Sequence, residues 1–281
     1  MSDFTILCDS LADIDINYAN ENEIIILPTF YYFKENEVFG KDNNLTYEEF
    51  YERLKTERAY SSCINIMDTE ETFKKILDEG KKIIYLAFSS KCSACYQVAN
   101  MIKEELDPDG DKIYIYDTGL GTSPISLMIE DIIAMKNNGL ELFDIYNIME
   151  QNKEKYNVVF TTNDLEYFVR GGRLKKSAGL IGGMLNIKPV ITFKEGEVFI
   201  MEKCRGQIKA YQKIIDTIKE KNIDLSRIII NYGYGKEYVN KIIELLKKTF
   251  GENINYKLCP IHPSIGTHLG PTSVGISYVI K

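Results

Sequence analysis

The sequence predicts an α/β protein of two lobes: an N-terminal doubly wound parallel sheet with helices on both faces (residues 1–157), then a mixed α/β lobe (residues 158–281). Three observations carry this reading. At 281 residues and 44% hydrophobic content the chain can bury more core than one ordinary domain needs. In its first half, strand-sized apolar runs alternate with amphipathic helical stretches, the pattern of right-handed crossovers in a parallel sheet. Past residue 158 the pattern changes, and two apolar runs separated by Lys194-Glu-Gly-Glu197 read as a hairpin.

Taken in order, residues 4–8 form a short apolar strand ending at Asp9-Ser10, a polar pair suited to a turn or a helix cap. A second strand at 24–27 is stopped by Pro28, with the aromatic stretch 30–33 just beyond it. Thr46 and Glu49 spell a capping box that opens a helix through about residue 54. A helix over 70–77 ends at Gly80, strand 83–88 follows, and Ser89-Ser-Lys-Cys-Ser93 leads into a helix with Val98, Met101, Ile102 and Leu106 at helical spacing. Strand 113–116 ends at Asp117-Thr118, and helices lie within 123–136 and 141–155.

The second lobe opens with strand 158–161, a cap-like segment 163–166 and the segment Arg170-Gly-Gly-Arg173. Strands 189–193 and 198–202 make the hairpin. A helix presents Ile208, Tyr211, Ile214, Ile215 and Ile218 on one face, strand 228–232 follows, and helix 238–246 precedes strand 254–258.

A formal charge of −7 excludes nucleic acid or an anionic membrane surface as the main partner, since both demand a basic face. No apolar run approaches the ~18 residues of a transmembrane segment. The opening Met1-Ser2-Asp3-Phe4 lacks the cationic and apolar regions of a secretory signal, so a cytoplasmic location is expected. The six cysteines are scattered, as reduced thiols are. Cys92-Ser-Ala-Cys95 has the spacing of a redox dithiol or half a zinc site, but no second CxxC or nearby His completes a ligand set; small buried side chains are the other reading. No metal and no cofactor is expected.

Ligands of open parallel sheets bind beyond the carboxyl ends of strands, where helix starts offer free N–H groups. Ser93 belongs there, Asp9-Ser10 and Asp117-Thr118 should share its rim, and Tyr60-Ser61-Ser62 approaches from a preceding loop. A serine before a helix is also an ordinary cap, and that reading stands beside the anion site. Arg170-Gly-Gly-Arg173 either projects two guanidiniums at phosphate or carboxylate oxygens or is a turn with solvated arginines. His268, in Gly266-Thr-His-Leu-Gly-Pro271, is either a donor to an anion or a packing residue. A serine hydrolase using Ser93 and His268 is the alternative from another class, although the G-x-S-x-G elbow is missing.

Together these segments resemble the DegV family, the fatty-acid-binding subunits of bacterial fatty acid kinase. The resemblance runs through Cys8-Asp-Ser10, Ile26-Leu-Pro28, the stretch 89–97, Leu165-Glu-Tyr-Phe-Val-Arg-Gly-Gly-Arg173, Leu185-Asn-Ile-Lys-Pro189 and 266–271. It implies an apolar tunnel holding one long-chain fatty acid, whose carboxylate is presented to a separate kinase for acyl-phosphate formation; the chain itself would not be an enzyme. By position Ser61 and Ser93 match the carboxylate-binding hydroxyls, with Ser62 and Ala94 beside them. Arg170 and His268 match polar residues around the head group, and Arg173 and Arg205 match arginines of the kinase-facing surface. The chain departs from the family where Leu-Ser-Gly-Thr becomes Cys92-Ser-Ala-Cys95 and Thr-Ser-Gln-Pro-Ser becomes Ser61-Ser-Cys-Ile-Asn65, so hydrogen bonding at the head group is expected to differ.

Overall fold

The computed structural model describes residues 3–41, 43–173 and 186–281; Met1 and Ser2 of the N-terminal reading and Leu185 of the block 185–189 lie outside them. The first half contains strands β1 (Phe4–Asp9), β2 (Ile25–Leu27), β3 (Phe30–Tyr32), β4 (Val38–Phe39), β5 (Tyr60–Ser62), β6 (Lys82–Ala87) and β7 (Ile113–Asp117). Its helices are α1 (Ile16–Glu21), α2 (Tyr47–Leu54), α3 (Ile66–Asp78), α4 (Cys95–Leu106), α5 (Ser123–Asn137) and α6 (Leu142–Asn152). The second half contributes β8 (Tyr156–Thr161), α7 (Glu166–Arg170), β9 (Ile187–Lys194), β10 (Glu197–Arg205), α8 (Gln207–Lys219), β11 (Ile229–Tyr232), α9 (Lys236–Phe250), β12 (Lys257–Pro260), α10 (Pro263–Leu269) and β13 (Val274–Val279).

The predicted parallel sheet is present, with strand order β2-β1-β6-β7 and every neighbour parallel. Five of the six residues of β1, and five of the six of β6, are buried, as a strand covered on both faces requires. The mixed sheet has order β10-β9-β8-β13-β11-β12. Side chains alternate across it: Val158, Phe160 and Ile229 join one core with the parallel sheet, while Val159, Ile230 and Ile276 join a second core with α8 and α9. The two lobes therefore share a core, and α5, buried nearly all round, packs against β8 and β13 between them.

A third sheet, antiparallel with order β4-β3-β5, was not foreseen. Its strands have two or three residues, too few to show a period, and an aromatic cluster of Tyr31, Phe33, Phe39, Phe50 and Tyr51 holds it beneath α2. Tyr60-Ser61-Ser62 is thus a strand rather than a loop, with Ser61 opposite Tyr31. Other expectations shift in detail. The buried face of α4 is Cys95, Ala99 and Ile102, leaving Met101 half exposed, and Ile208 lies outside the apolar face of α8 at 69% exposure. Strand β12 starts at Lys257 and omits Ile254, and β8 begins at Tyr156, just ahead of the 157/158 division. The Thr46 capping box forms with both halves present. The hairpin turns at Glu195-Gly196, both at positive φ, the geometry of a type I′ turn.

Candidate functional site

The segment joining β6 to α4 is built by its neighbours. The Asp9 carboxylate, at the end of β1, accepts from Phe88 N at 3.1 Å, Tyr85 Oη at 2.8 Å and Leu11 N at 3.1 Å. Burial pushes Asp9 up to about 6 even against these donors. Asp117 Oδ1, at the end of β7, accepts from Ser90 N and Gly119 N. Both expected rim carboxylates therefore hold backbone N–H groups and order the turn. From the other lobe, Ser89 Oγ donates to Gly196 O at 2.6 Å, so the hairpin tip clamps the same segment.

Ser93 ends this turn. Its Oγ accepts from Cys95 N at 3.3 Å and donates to Cys95 Sγ at 3.1 Å, while the formal cap of α4, Ala94, makes no side-chain bond. The cap reading is thus half right: the hydroxyl braces the helix start but spends its proton only on a weak sulfur acceptor.

Ser61, carried on β5, meets His268 near the end of α10, its Oγ 2.7 Å from Nε2. Burial, with the Arg173 charge adding to it, lowers His268 to about 3, so the imidazole is neutral at ordinary pH. Nδ1 is buried without a hydrogen-bond partner. An unpaired lone pair costs less than an unpaired N–H, which favours the proton on Nε2. His268 then donates to Ser61 Oγ and leaves the serine proton available to a ligand.

The two glycines of Arg170-Gly-Gly-Arg173 serve different ends. A Cβ on Gly171 would sit 2.1 Å from His268 Nδ1, so only glycine lets this backbone pass the imidazole, and Gly172 turns the chain at φ +71. Arg173 Nε donates to Cys92 O at 3.1 Å and Nη1 to Gly171 O at 2.6 Å. Arg170 instead lies over the Tyr167 ring at 4.8 Å, with Glu166 3.7 Å from its Nε.

Between the parallel sheet's carboxyl edge and the face of the mixed sheet lies a cavity of about 270 Å³. Its walls are mainly apolar, including Leu11, Phe88, Phe160, Phe168, Phe193 and Val198. Ser61, Ser62, Ser93, Ala94, Arg173 and His268 all line it. Arg170 does not; it lines a smaller adjoining pocket of about 140 Å³ that also touches Ser61, Arg173 and His268. Arg205 is exposed on β10 and lines neither. Sequence reasoning missed Thr122, Asn231, Ser264 and Gly275, which also line the cavity. Asn231 and Gly275 did leave a signal, a polar residue and a glycine within largely apolar strands; Thr122 left none.

The alternative chemistries find little footing. An imidazole lowered to about 3 is a poor general base, and its Nε2 faces Ser61 rather than Ser93. Burial raises the pKa of both Cys92 and Cys95, against the thiolate that redox or metal chemistry needs, and Cys92 Sγ donates to Gly196 O. Among the described residues, no group of three or more His, Cys, Asp or Glu side chains is placed to hold a metal, and no helix is long and apolar enough to cross a membrane.

This architecture has close counterparts. A solved structure of DegV, a fatty acid binding protein from Bacillus subtilis, aligns over 100% of both chains with TM-score 0.85 and 24% identity. A fatty-acid-binding DegV family protein from Thermus thermophilus aligns over 99% of this chain and 100% of its own, with TM-score 0.88 and 20% identity. Among curated relatives, a DegV domain-containing protein of Clostridium acetobutylicum is 30% identical over 98% of each chain, and one of Halalkalibacterium halodurans 27% identical over 100% of each. A family model described as "Uncharacterised protein, DegV family" matches residues 3–281, and the chain belongs to that family.

Proposed function

We propose that this chain binds one long-chain fatty acid, the acyl chain in the cavity and the carboxylate at Ser61 and Ser93. The observation that carries the reading is an apolar cavity with its cation and the Ser61–His268 pair gathered at one place on its wall. Burying each CH₂ contributes ~0.8 kcal/mol, so an acyl chain supplies ample affinity without strong head-group bonds. The carboxylate needs orientation and partial neutralisation. Ser61, whose oxygen is occupied by His268, and Ser93, whose proton rests on sulfur, have protons to offer it, with Ser62 and Ala94 flanking and Arg173 supplying charge. Arg170 adds to the field from the adjoining pocket. The fatty-acid-binding proteins of similar fold support the same reading.

In this reading the chain is a carrier, not an enzyme, and it works in the cytoplasm. A separate kinase catalytic subunit phosphorylates the presented carboxylate, docking on the side of Arg173 and Arg205. Protein purified from a bacterial host is expected to yield fatty acid on organic extraction, near one per chain by mass spectrometry. Absence of lipid at any stoichiometry would reject the reading. Acyl-phosphate forming with ATP only when the kinase subunit is added tests the second half.

A further inference from the structure

The cavity is polar at a second place. Along α10 its wall is made by His268, Ile265 and Ser264, with Ile261 just before the helix. A rise of 1.5 Å per residue puts Ser264 about 6 Å along the helix from His268, and Ile261 lies further on, beyond the helix start. Ile261 N donates to Tyr232 O, next to Asn231, so the wall leads from the serines at His268 to Asn231.

Among the described residues, three polar side chains line that inner end, and each retains hydrogen-bonding capacity. Thr122, at the uncapped start of the 15-residue α5, is 7% exposed, and its Oγ1 has no hydrogen-bond partner. Asn231 is 2% exposed; its Nδ2 donates to Ser123 Oγ at 2.6 Å and its Oδ1 accepts from Ser277 Oγ at 2.6 Å. One N–H and one lone pair of the amide remain. Ser264 Oγ accepts from Thr29 Oγ1 at 3.0 Å, which leaves its own proton unspent. Plain hydrocarbon gives these groups nothing, and a buried polar atom without a partner destabilises the fold.

We infer that Thr122, Asn231 and Ser264 form a second polar subsite for a neutral oxygen carried on the acyl chain, so that a hydroxylated long-chain fatty acid is the preferred ligand. The inference rests on the fatty-acid reading above. A hydroxyl both donates and accepts, as the set requires. A second carboxylate does not fit, because among the described residues Arg173 is the only cationic side chain lining the cavity and it belongs to the serine end.

The test uses the full chain, stripped of lipid, and competition against a fluorescent fatty acid. The competitors are stearate and 18-carbon acids hydroxylated at successive positions. Stearate should bind, and acids hydroxylated at one or two neighbouring positions should bind roughly three- to ten-fold more tightly, the gain of one recovered hydrogen bond. Thr122→Val should return those acids to the level of stearate measured on the same variant. If that variant does not fold, Ser264→Ala should reduce the same preference. Stearate binding with no hydroxylated acid tighter than it, or a preference unchanged in either folded variant, overturns the subsite. Failure of every acid, stearate included, rejects the fatty-acid reading and the subsite with it.

Discussion

The two ends of the cavity use similar side chains for different electrostatic tasks. At the Ser61 end hydroxyls stand beside a guanidinium and a neutral imidazole; at the Asn231 end, among the described residues, hydroxyls and an amide stand with no charge. A carboxylate is stable at the first and costly at the second, whereas a neutral oxygen is at home at either. The difference teaches that a carboxylate's preference between the two ends follows the placement of charge, not the count of polar groups.

The largest test of that contrast is removal of the donors at the charged end. Ser61→Ala combined with Ser93→Ala removes the two hydroxyls proposed to hold the carboxylate, and a hydrogen bond to an ion contributes about 1.5–3 kcal/mol. Affinity should fall about 100-fold or more by calorimetry, with the folded state retained. A loss under three-fold would show that the carboxylate lies elsewhere.

Next in size is the pH response of His268. Its folded pKa, about 3, lies below the unfolded value of about 6.5. The native state therefore binds fewer protons, and this contribution to stability, complete above pH 6.5, is lost as pH falls from 6.5 toward 3. Each unit of that fall costs about 1.4 kcal/mol. Asp9 acts in the opposite sense, since a carboxylate raised to about 6 favours the native state as pH falls from 6 toward 4. The comparison of wild type with His268→Gln by denaturant titration isolates the histidine: their difference should change steadily from pH 6.5 to 4.5. Ligand affinity should stay flat from pH 6 to 8. An affinity step near pH 6.5 would mean that the imidazole is charged in the bound state.

The contrast also shows where the sequence was informative. Both large sheets were legible because β1, β6 and β7 are apolar runs bounded by turn residues, and because Lys194-Glu-Gly-Glu197 permits little besides a hairpin. The small third sheet was not, since its register comes from aromatic packing beneath α2 and not from a local period. At the site, position after β6 marked Ser93, the residues themselves raised Ser61 and His268 as candidates, and the family resemblance gave the two their expected roles. The 2.7 Å bond between those two, across 207 residues of chain, is tertiary and leaves no local trace. Nor could spacing tell that Gly171 exists to let backbone pass an imidazole, or that Arg173 reaches the main cavity while Arg170 lines only the adjoining pocket.

The smallest expected effect decides whether the uncharged end holds the ligand's head group. Thr29 is fully buried; its Oγ1 donates to Ser264 Oγ and lies 2.7 Å from Ser10 Oγ, which also accepts from Thr29 N. Thr29→Val keeps the shape and the backbone bond to Ser10 but leaves Ser264 Oγ without its donor. Stability should fall by about 1 kcal/mol, the worth of one neutral hydrogen bond. Stearate affinity should stay within about two-fold, because Thr29 stands behind the cavity wall, away from the charged end. A ten-fold loss of stearate affinity would place the carboxylate on Ser264, reverse the ligand in the cavity, and turn the serine–histidine pair into packing around the tail.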